Sequence, residues 1–335
     1  MPNLVEAGSS HVPRYAVVFK THTWDGFILR QFQRYRDAPR TGDAFIVADE
    51  TNGPIGPIEH DRVLRATDAD LIAMGLADRA ERGSLIWWNT DYPHYLFASK
   101  FPQYDYYLFV EYDTVINCEI DELIRCVSAA GADFVALPTR CSKLDWQWTW
   151  HHLATYDFDS IEGSLNCISI CSNRALRHFM QRRLEMSRQS SAGEIAFWPC
   201  NEVFLATEAK MANLKMASLS EFGNADGYEW YPPYLEEDLE DFRDLTFLHP
   251  VLDEPRYMTS ILRFSWLTDY FSRGSRLAGA LKRFPKYKPL VARAFCRRLV
   301  FRTHERWQNA IAKFRVRPAT LLSHRFAKPA TMNRS

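Results

Sequence analysis

Tyr104-Asp105-Tyr106-Tyr107-Leu108-Phe109-Val110-Glu111-Tyr112-Asp113 is an apolar run that breaks into two acids one position apart. A buried parallel strand reads as a nearly continuous apolar run, and ligands of open α/β sheets gather beyond strand carboxyl ends. The stretch therefore predicts a central strand with Glu111 and Asp113 at the ligand-binding edge. On an extended chain, carboxylates at i and i+2 project to the same side. Such a pair offers hard oxygen donors to Mg²⁺ or Mn²⁺, ions that bridge to substrate phosphates because protein alone rarely encloses them. Solvated acids at an ordinary strand end read the same way, so the flanking sequence has to discriminate.

Working outward, residues 14–20 (RYAVVFK) predict a first strand, 21–26 (THTWDG) a turn and 27–36 a helix. Residues 43–49 (DAFIVAD) form a second apolar run ending in acid, followed by Asn52-Gly53-Pro54 and Gly56-Pro57 loop punctuation. Helices are expected over 68–76, 92–100 and 121–130, and strands over 132–138 and 165–171. Ser172 then stands as the N-cap of a further helix. The alternation of strands and helices predicts a doubly wound, mostly parallel sheet flanked by helices. In residues 145–152 (DWQWTWHH), Trp146, Trp148 and Trp150 fall at every second position. On a strand or extended loop they would share one aromatic face, suited either to stacking on sugar rings or to filling a core.

The 335 residues suffice for one large α/β domain with appendages, and 47% hydrophobic residues for a proper core. No uninterrupted apolar segment of about 18 residues and no charged-then-apolar amino terminus occurs, so a cytoplasmic chain is expected. Seven cysteines without a C-x-x-C disfavour a disulfide framework or a ribbon-type zinc site. Cys167 and Cys171 could share a strand face, where buried structural thiols are the ordinary outcome. The zero net charge conceals a polarity: residues 271–335 hold 17 Lys/Arg and one acid, Glu305, against 24 basic and 40 acidic residues in 1–270. We therefore expect a body over 1–270 and a basic helical extension over 271–335. Apolar residues from Phe284 to Phe314 are interspersed in the extension, as suits an anionic membrane surface. Packing on the acidic body is the alternative; nucleic acid is opposed by the body's charge.

Together these features resemble a GT-A type (Rossmann-like) nucleotide-sugar glycosyltransferase, whose strand-end D-x-D-like motif holds a divalent ion on the donor diphosphate. Glu111-Tyr112-Asp113 matches that motif with Glu in place of the usual first Asp. The resemblance implies Asp113 as metal ligand and Glu111 as a ligand through water or a contact to the donor ribose. Residues 87–93 (WWNTDYP) resemble the W-x-N-x-D neighbourhood of an uncharacterised bacterial and fungal glycosyltransferase-like family, which puts Asn89 and Asp91 on the cofactor side. Residues 197–207 (FWPCNEVFLAT) are similar to the segment by which such enzymes reach the acceptor, with Glu202 as catalytic base, held ionised by a helix amino terminus. Residues 247–251 (FLHPV) resemble the segment whose histidine completes the metal site, here His249, and an imidazole ligand favours Mn²⁺ over Mg²⁺. By position in the fold, Thr21, His22 and Asp49 would bracket the nucleotide base and ribose, and Trp146, Trp148 and Trp150 would meet the acceptor.

The implied activity is metal-dependent sugar transfer to a glycan or lipid-linked acceptor in bacterial surface polysaccharide or lipopolysaccharide synthesis, with the basic extension at the inner face of the membrane. A sugar-nucleotide pyrophosphorylase is the rival enzyme, but no Gly-rich basic loop follows Lys20. A non-catalytic carbohydrate-binding or membrane scaffold protein is the rival outside enzymes. No G-x-G-x-x-G follows the first strand, and neither a G-x-x-x-x-G-K-[ST] loop nor a G-x-S-x-G elbow occurs.

Overall fold

The computed structural model describes residues 13–80 and 85–300. Its first strand, β1 (Tyr15–Thr21), is buried throughout and is followed by helix α1 (Gly26–Asp37). Asp25 starts that helix by accepting from the backbone N–H of Phe27 and Ile28 at 3.0 and 3.1 Å, which satisfies donors that a helix end otherwise leaves orphaned. Next come β2 (Asp43–Asp49), β3 (Val63–Ala66) and α2 (Asp68–Ala73), the last opened by a Thr67/Asp70 capping box. Helices α3 (Leu85–Trp88) and α4 (Tyr92–Lys100) lead to β4 (Tyr106–Glu111), the short β5 (Val115–Ile116) and α5 (Ile120–Ala129). The series β6 (Phe134–Pro138), α6 (Gln147–His152), β7 (Ser164–Ser172), α7 (Asn173–Ser191), α8 (Asn201–Met211) and β8 (Met216–Ser218) follows. Ser172 does cap α7, accepting from Ala175 N–H at 3.1 Å.

Seven strands form one sheet in the order β3-β2-β1-β4-β7-β6-β8. All neighbours run parallel except β7, which is antiparallel to both β4 and β6. The architecture is thus the mostly parallel, helix-flanked α/β sheet expected, with one reversed strand. Its faces bury two apolar layers: Phe45, Tyr107, Phe109, Phe179 and Phe204 on one side; Val17, Phe19, Phe32, Leu108 and Ile124 on the other. Small pairings close the carboxyl edge: β9 (Gly227–Tyr228) and β5 flank β11 (Phe247–His249), and β10 (Tyr234–Leu235) pairs with β12 (Val251–Leu252).

The chain divides into two compact units, residues 1–254 and 255–335. In the second, α9 (Glu254–Phe264) ends where the Arg298 guanidinium donates to the carbonyls of Leu262, Arg263 and Ser265, a cation placed on the negative end of the helix dipole. Helix α10 (Arg276–Arg283) follows within the basic stretch. The expected apolar positions Trp307, Ile311 and Phe314 lie outside the described residues.

Two expectations are corrected. The alternating tryptophans lie in and beside helix α6 rather than on a strand, so their i, i+2 spacing turns them to different faces. Trp148 packs edge-on against Trp88 with centroids 5.3 Å apart, Trp146 lies over Gly163 so closely that a Cβ there would overlap its ring, and Trp150 is 55% exposed. The acidic pair is likewise not on an extended chain. β4 stops at Glu111, and Thr114 N–H donates to the Glu111 carbonyl at 3.1 Å, so a turn delivers Asp113.

Within one of the two apolar layers, Arg183 of α7 and Asp91, just before α4, form an ion pair with no solvent exposure. Arg183 Nε and Nη2 donate to the two Asp91 oxygens at 2.7 and 3.2 Å, and Nη1 donates to the Pro199 carbonyl at 3.0 Å. Tyr95 OH also donates to Asp91, and the guanidinium lies 3.7 Å from the Phe204 ring centroid. Nearby, Trp88 Nε1 donates to the Trp198 carbonyl, Trp198 Nε1 to Asn89 Oδ1, and Asn89 Nδ2 to the carbonyls of Arg79 and Leu85. Removing one member of a buried pair strands the other charge, at a cost of roughly 3–5 kcal/mol. Arg183→Met should therefore lower the urea midpoint by that equivalent, and Arg183→Met/Asp91→Asn should recover part of the loss. Equal midpoints for wild type and Arg183→Met would contradict the bracing role.

Candidate active site

The carboxyl ends of β1, β2 and β4 lie side by side, because Thr21 pairs with Ala48 and Lys20 with Glu111. Lys20, 8% exposed, donates from Nζ to Glu111 Oε1 at 3.4 Å. From the next strand over, β7, the antiparallel register runs Tyr106–Ser172 to Val110–Ile168, and one further step sets Cys167 opposite Glu111. Three chemically distinct side chains thus stand in a row across three strands.

Asp113 comes in above them from the turn after β4. Its carbonyl accepts from Val251 N–H at 2.7 Å, which ties the turn to the β11–β12 region. There His249 Nε2 lies 3.7 Å from Asp113 Oδ2. His249 Nδ1 is 2.7 Å from the Glu229 carbonyl, a contact that requires a proton on Nδ1 and turns Nε2 toward the carboxylate. Asp113 Oδ1 is buried with no hydrogen-bond partner among the described residues. One donor atom each from Glu111, Cys167 and His249 lies within 4.8 Å of the other two.

An orphaned buried carboxylate oxygen, an imidazole nitrogen oriented from behind by a backbone carbonyl, and a second carboxylate in reach are what a divalent cation requires of its ligands and their supports. The residues fit such an ion. Burial pushes the Asp113 carboxyl up; His249 opposes the rise and Glu111 adds to it.

Glu202 occupies the first turn of α8, whose amino-terminal side is pinned by Arg183 at Pro199 and by His152 Nε2, which accepts from Cys200 N–H at 3.1 Å. Burial, reinforced by repulsion from Glu111, pushes its carboxyl up to about 7. The expectation that the helix dipole keeps Glu202 firmly ionised is therefore corrected: at this site desolvation outweighs the dipole.

Of the remaining expected residues, Thr21 ends β1 and donates from Oγ1 to the Thr23 carbonyl at 2.6 Å. His22 stacks edge-on against Tyr112 with centroids 5.2 Å apart, and Asp49, ending β2, accepts from Thr51 N and Oγ1 at 2.9 and 2.6 Å. The fold thus gathers Thr21, His22, Asp49, Glu111, Asp113, Glu202 and His249 at one edge. It does not bring Asn89 or Asp91 there: both are wholly buried and committed to the Arg183 and Trp198 contacts, so neither can meet a cofactor. Sequence reasoning missed Lys20 and Tyr228 and read Cys167 as an ordinary core thiol. The signal for Lys20 was a lone cation ending an apolar strand; Cys167 and Tyr228 carried none without the strand register.

No family model and no curated relative matches the chain. Among solved structures it is similar to a glycosyltransferase involved in the glycosylation of the major capsid of PBCV-1, at 9% identity and TM-score 0.36 over 71% of this chain and 94% of that one. It is also similar to mouse xyloside xylosyltransferase 1 in its apo form, at 11% identity and TM-score 0.42 over 70% and 97%. Both superpositions are loose, and neither bears on the chemistry of the site.

The raised Glu202 carboxyl has a consequence for stability. A group whose pKa is higher folded than unfolded stabilises the fold fully below its unfolded value, and that contribution is lost as pH rises through the folded one. Here the window runs from 4.5 to about 7. Glu202→Gln should leave stability unchanged near pH 4 and raise it above pH 7 by on the order of 2 kcal/mol, allowing for residual solvent access. Chemical denaturation at the two pH values reads this directly; equal effects at both would place Glu202 in an ordinary solvated setting.

Proposed function

We propose that the chain is a metal-dependent glycosyltransferase that moves a sugar from a nucleotide-sugar donor to an acceptor hydroxyl. The observation that carries this reading is Asp113, with one buried oxygen unpartnered and the other 3.7 Å from His249 Nε2, at the carboxyl edge of the sheet. Asp113 and His249 would hold the ion, with Mn²⁺ favoured over Mg²⁺ by the imidazole. When bound, such an ion neutralises charge gathering on a departing nucleotide diphosphate.

The chain's own residues account for the rest. Lys20 neutralises Glu111 and holds it in place beside the ion-binding pair. Thr21, His22 and Asp49 line the adjoining strand ends, where the base and ribose of the donor would lie. Glu202, half its population ionised near neutrality, accepts the proton of the acceptor hydroxyl as it attacks the anomeric carbon, the role of a base in an inverting transfer. Trp150, the exposed tryptophan of α6, offers a stacking face for an acceptor sugar; Trp146 and Trp148 serve packing instead.

Assay of a panel of nucleotide sugars with Mn²⁺ tests the proposal. Asp113→Asn and His249→Ala should each abolish metal-dependent thermal protection by nucleoside diphosphates and lower turnover by on the order of 10²-fold or more. Undiminished metal-dependent activity in Asp113→Asn would remove that residue from the site. Glu202→Gln should lower kcat by about 10²-fold with donor affinity retained. The wild-type rate should climb as pH rises through about 7, and that limb should vanish in the variant.

The acceptor side of the proposal extends to the basic segment. Among its described residues, 271–300 carry nine Lys/Arg and no acid, with Phe271, Leu290, Leu299 and Val300 exposed. No described helix is long and apolar enough to cross a membrane. Each basic residue near an anionic leaflet contributes about 1 kcal/mol, so the segment could bring the site to a lipid-linked acceptor of a surface polysaccharide. The full chain should float with anionic vesicles at low salt and be released at high salt. Indifference to such vesicles at low salt would remove the membrane from the proposal.

A further inference from the structure

The two cysteines of β7 have opposite surroundings: Cys171 belongs to one apolar layer and Cys167 packs against the other. Cys171 is fully buried in the apolar layer beside Phe134 and Phe179. Cys167, four residues back, is partly exposed just beyond the β4 pairing and has Glu111 and His249 donors within 4.8 Å of its sulfur. Its place is pinned from the far side, where Tyr228 OH accepts from Ile168 N–H at 2.5 Å. Tyr228 in turn pairs with His249 across β9 and β11. The thiol and the imidazole are thus held on one frame.

We propose that Cys167 is a donor of the metal site, making it a mixed Glu111/Asp113/Cys167/His249 centre that takes a thiophilic divalent ion such as Zn²⁺ or Co²⁺ in preference to Mg²⁺. This rests on the reading of Asp113 and His249 as metal ligands. Four protein donors of carboxylate, imidazole and thiolate type are the set that suits tetrahedral Zn²⁺, whereas Mg²⁺ keeps to oxygen. Donors around a tetrahedral Zn²⁺ stand about 3.3–3.8 Å apart. Asp113 and His249 already meet that spacing at 3.7 Å. The donor atoms of Glu111, Cys167 and His249, up to 4.8 Å from one another, need to close by about 1 Å, within the reach of side-chain rotation. Lys20 engages Glu111 through Oε1, and the second carboxylate oxygen remains for the ion. Coordination replaces the S–H bond by an S–metal bond and releases one proton to solvent. A centre filled by four protein donors leaves no open position for a diphosphate, so Zn²⁺ would compete with the substrate-bearing mode.

The test is optical and independent of turnover. Full-length protein freed of metal by chelation is titrated with Co²⁺ while the near-ultraviolet thiolate-to-cobalt charge-transfer band is followed, and Mn²⁺ binding is measured separately by electron paramagnetic resonance. The band should appear in wild type and in Cys171→Ser, and be lost in both Cys167→Ser and Cys167→Ala. Those two variants should keep Mn²⁺ affinity within about twofold while Zn²⁺ affinity falls on the order of tenfold or more. Co²⁺ or Mn²⁺ binding without the band would overturn the proposal and leave the Asp113–His249 reading intact. A band that survives Cys167→Ser would place the thiolate elsewhere and overturn it as well. Absence of binding by any of these ions would overturn both readings.

Discussion

The ion pair of Arg183 and Asp91, sealed from solvent, is the contact on which the geometry of the site depends. A buried pair of this kind contributes little net stability, because desolvating both charges offsets most of their attraction. Its effect is positional. One guanidinium joins α7 to the residue before α4, holds the Pro199 carbonyl, and lies over the ring of Phe204 in α8. Glu202 sits between those last two anchors in the chain, so the same charge pair fixes the backbone on both sides of it.

At the carboxyl edge of the sheet the problem is reversed, since several acids converge there. Burial raises both Asp113 and Glu202, and Glu111 raises them further. Lys20 and His249 supply the nearest compensation. On the proposed reading, a bound cation would replace the partner that these groups lack. The unpartnered oxygen of Asp113 is the atom at which that deficit is concentrated.

Much of this was legible in the linear chain where local chemistry and long-range packing agree. The apolar run ending at Glu111 announces a buried strand because nothing else tolerates five consecutive apolar residues bounded by acids. Ser172 announces a helix start because its hydroxyl can satisfy an otherwise orphaned N–H. The alternation of these elements settled the sheet class, though not the reversed β7. The short β3, interrupted by Arg65, lacks the apolar continuity that marks its neighbours, and it forms because β2 offers it an edge. The tryptophans at alternate positions misled for the opposite reason: a period of two fits a strand, but the contacts of Trp148 with Trp88 and of His152 with Phe197 favour a helical turn there.

By itself, then, the sequence determined the five longest strands, most of the helices, the acidic edge and the charge divide at the basic segment, all properties carried by neighbouring residues through periodicity, capping and composition. Tertiary structure alone decided which polar residues face that edge. Asn89 and Asp91 look like ligands in the chain and become internal braces, whereas Cys167 and Lys20 look like packing and meet Glu111. The reason is physical: a polar side chain's role depends on what desolvates and what compensates it, and both come from strands and helices far away in the chain.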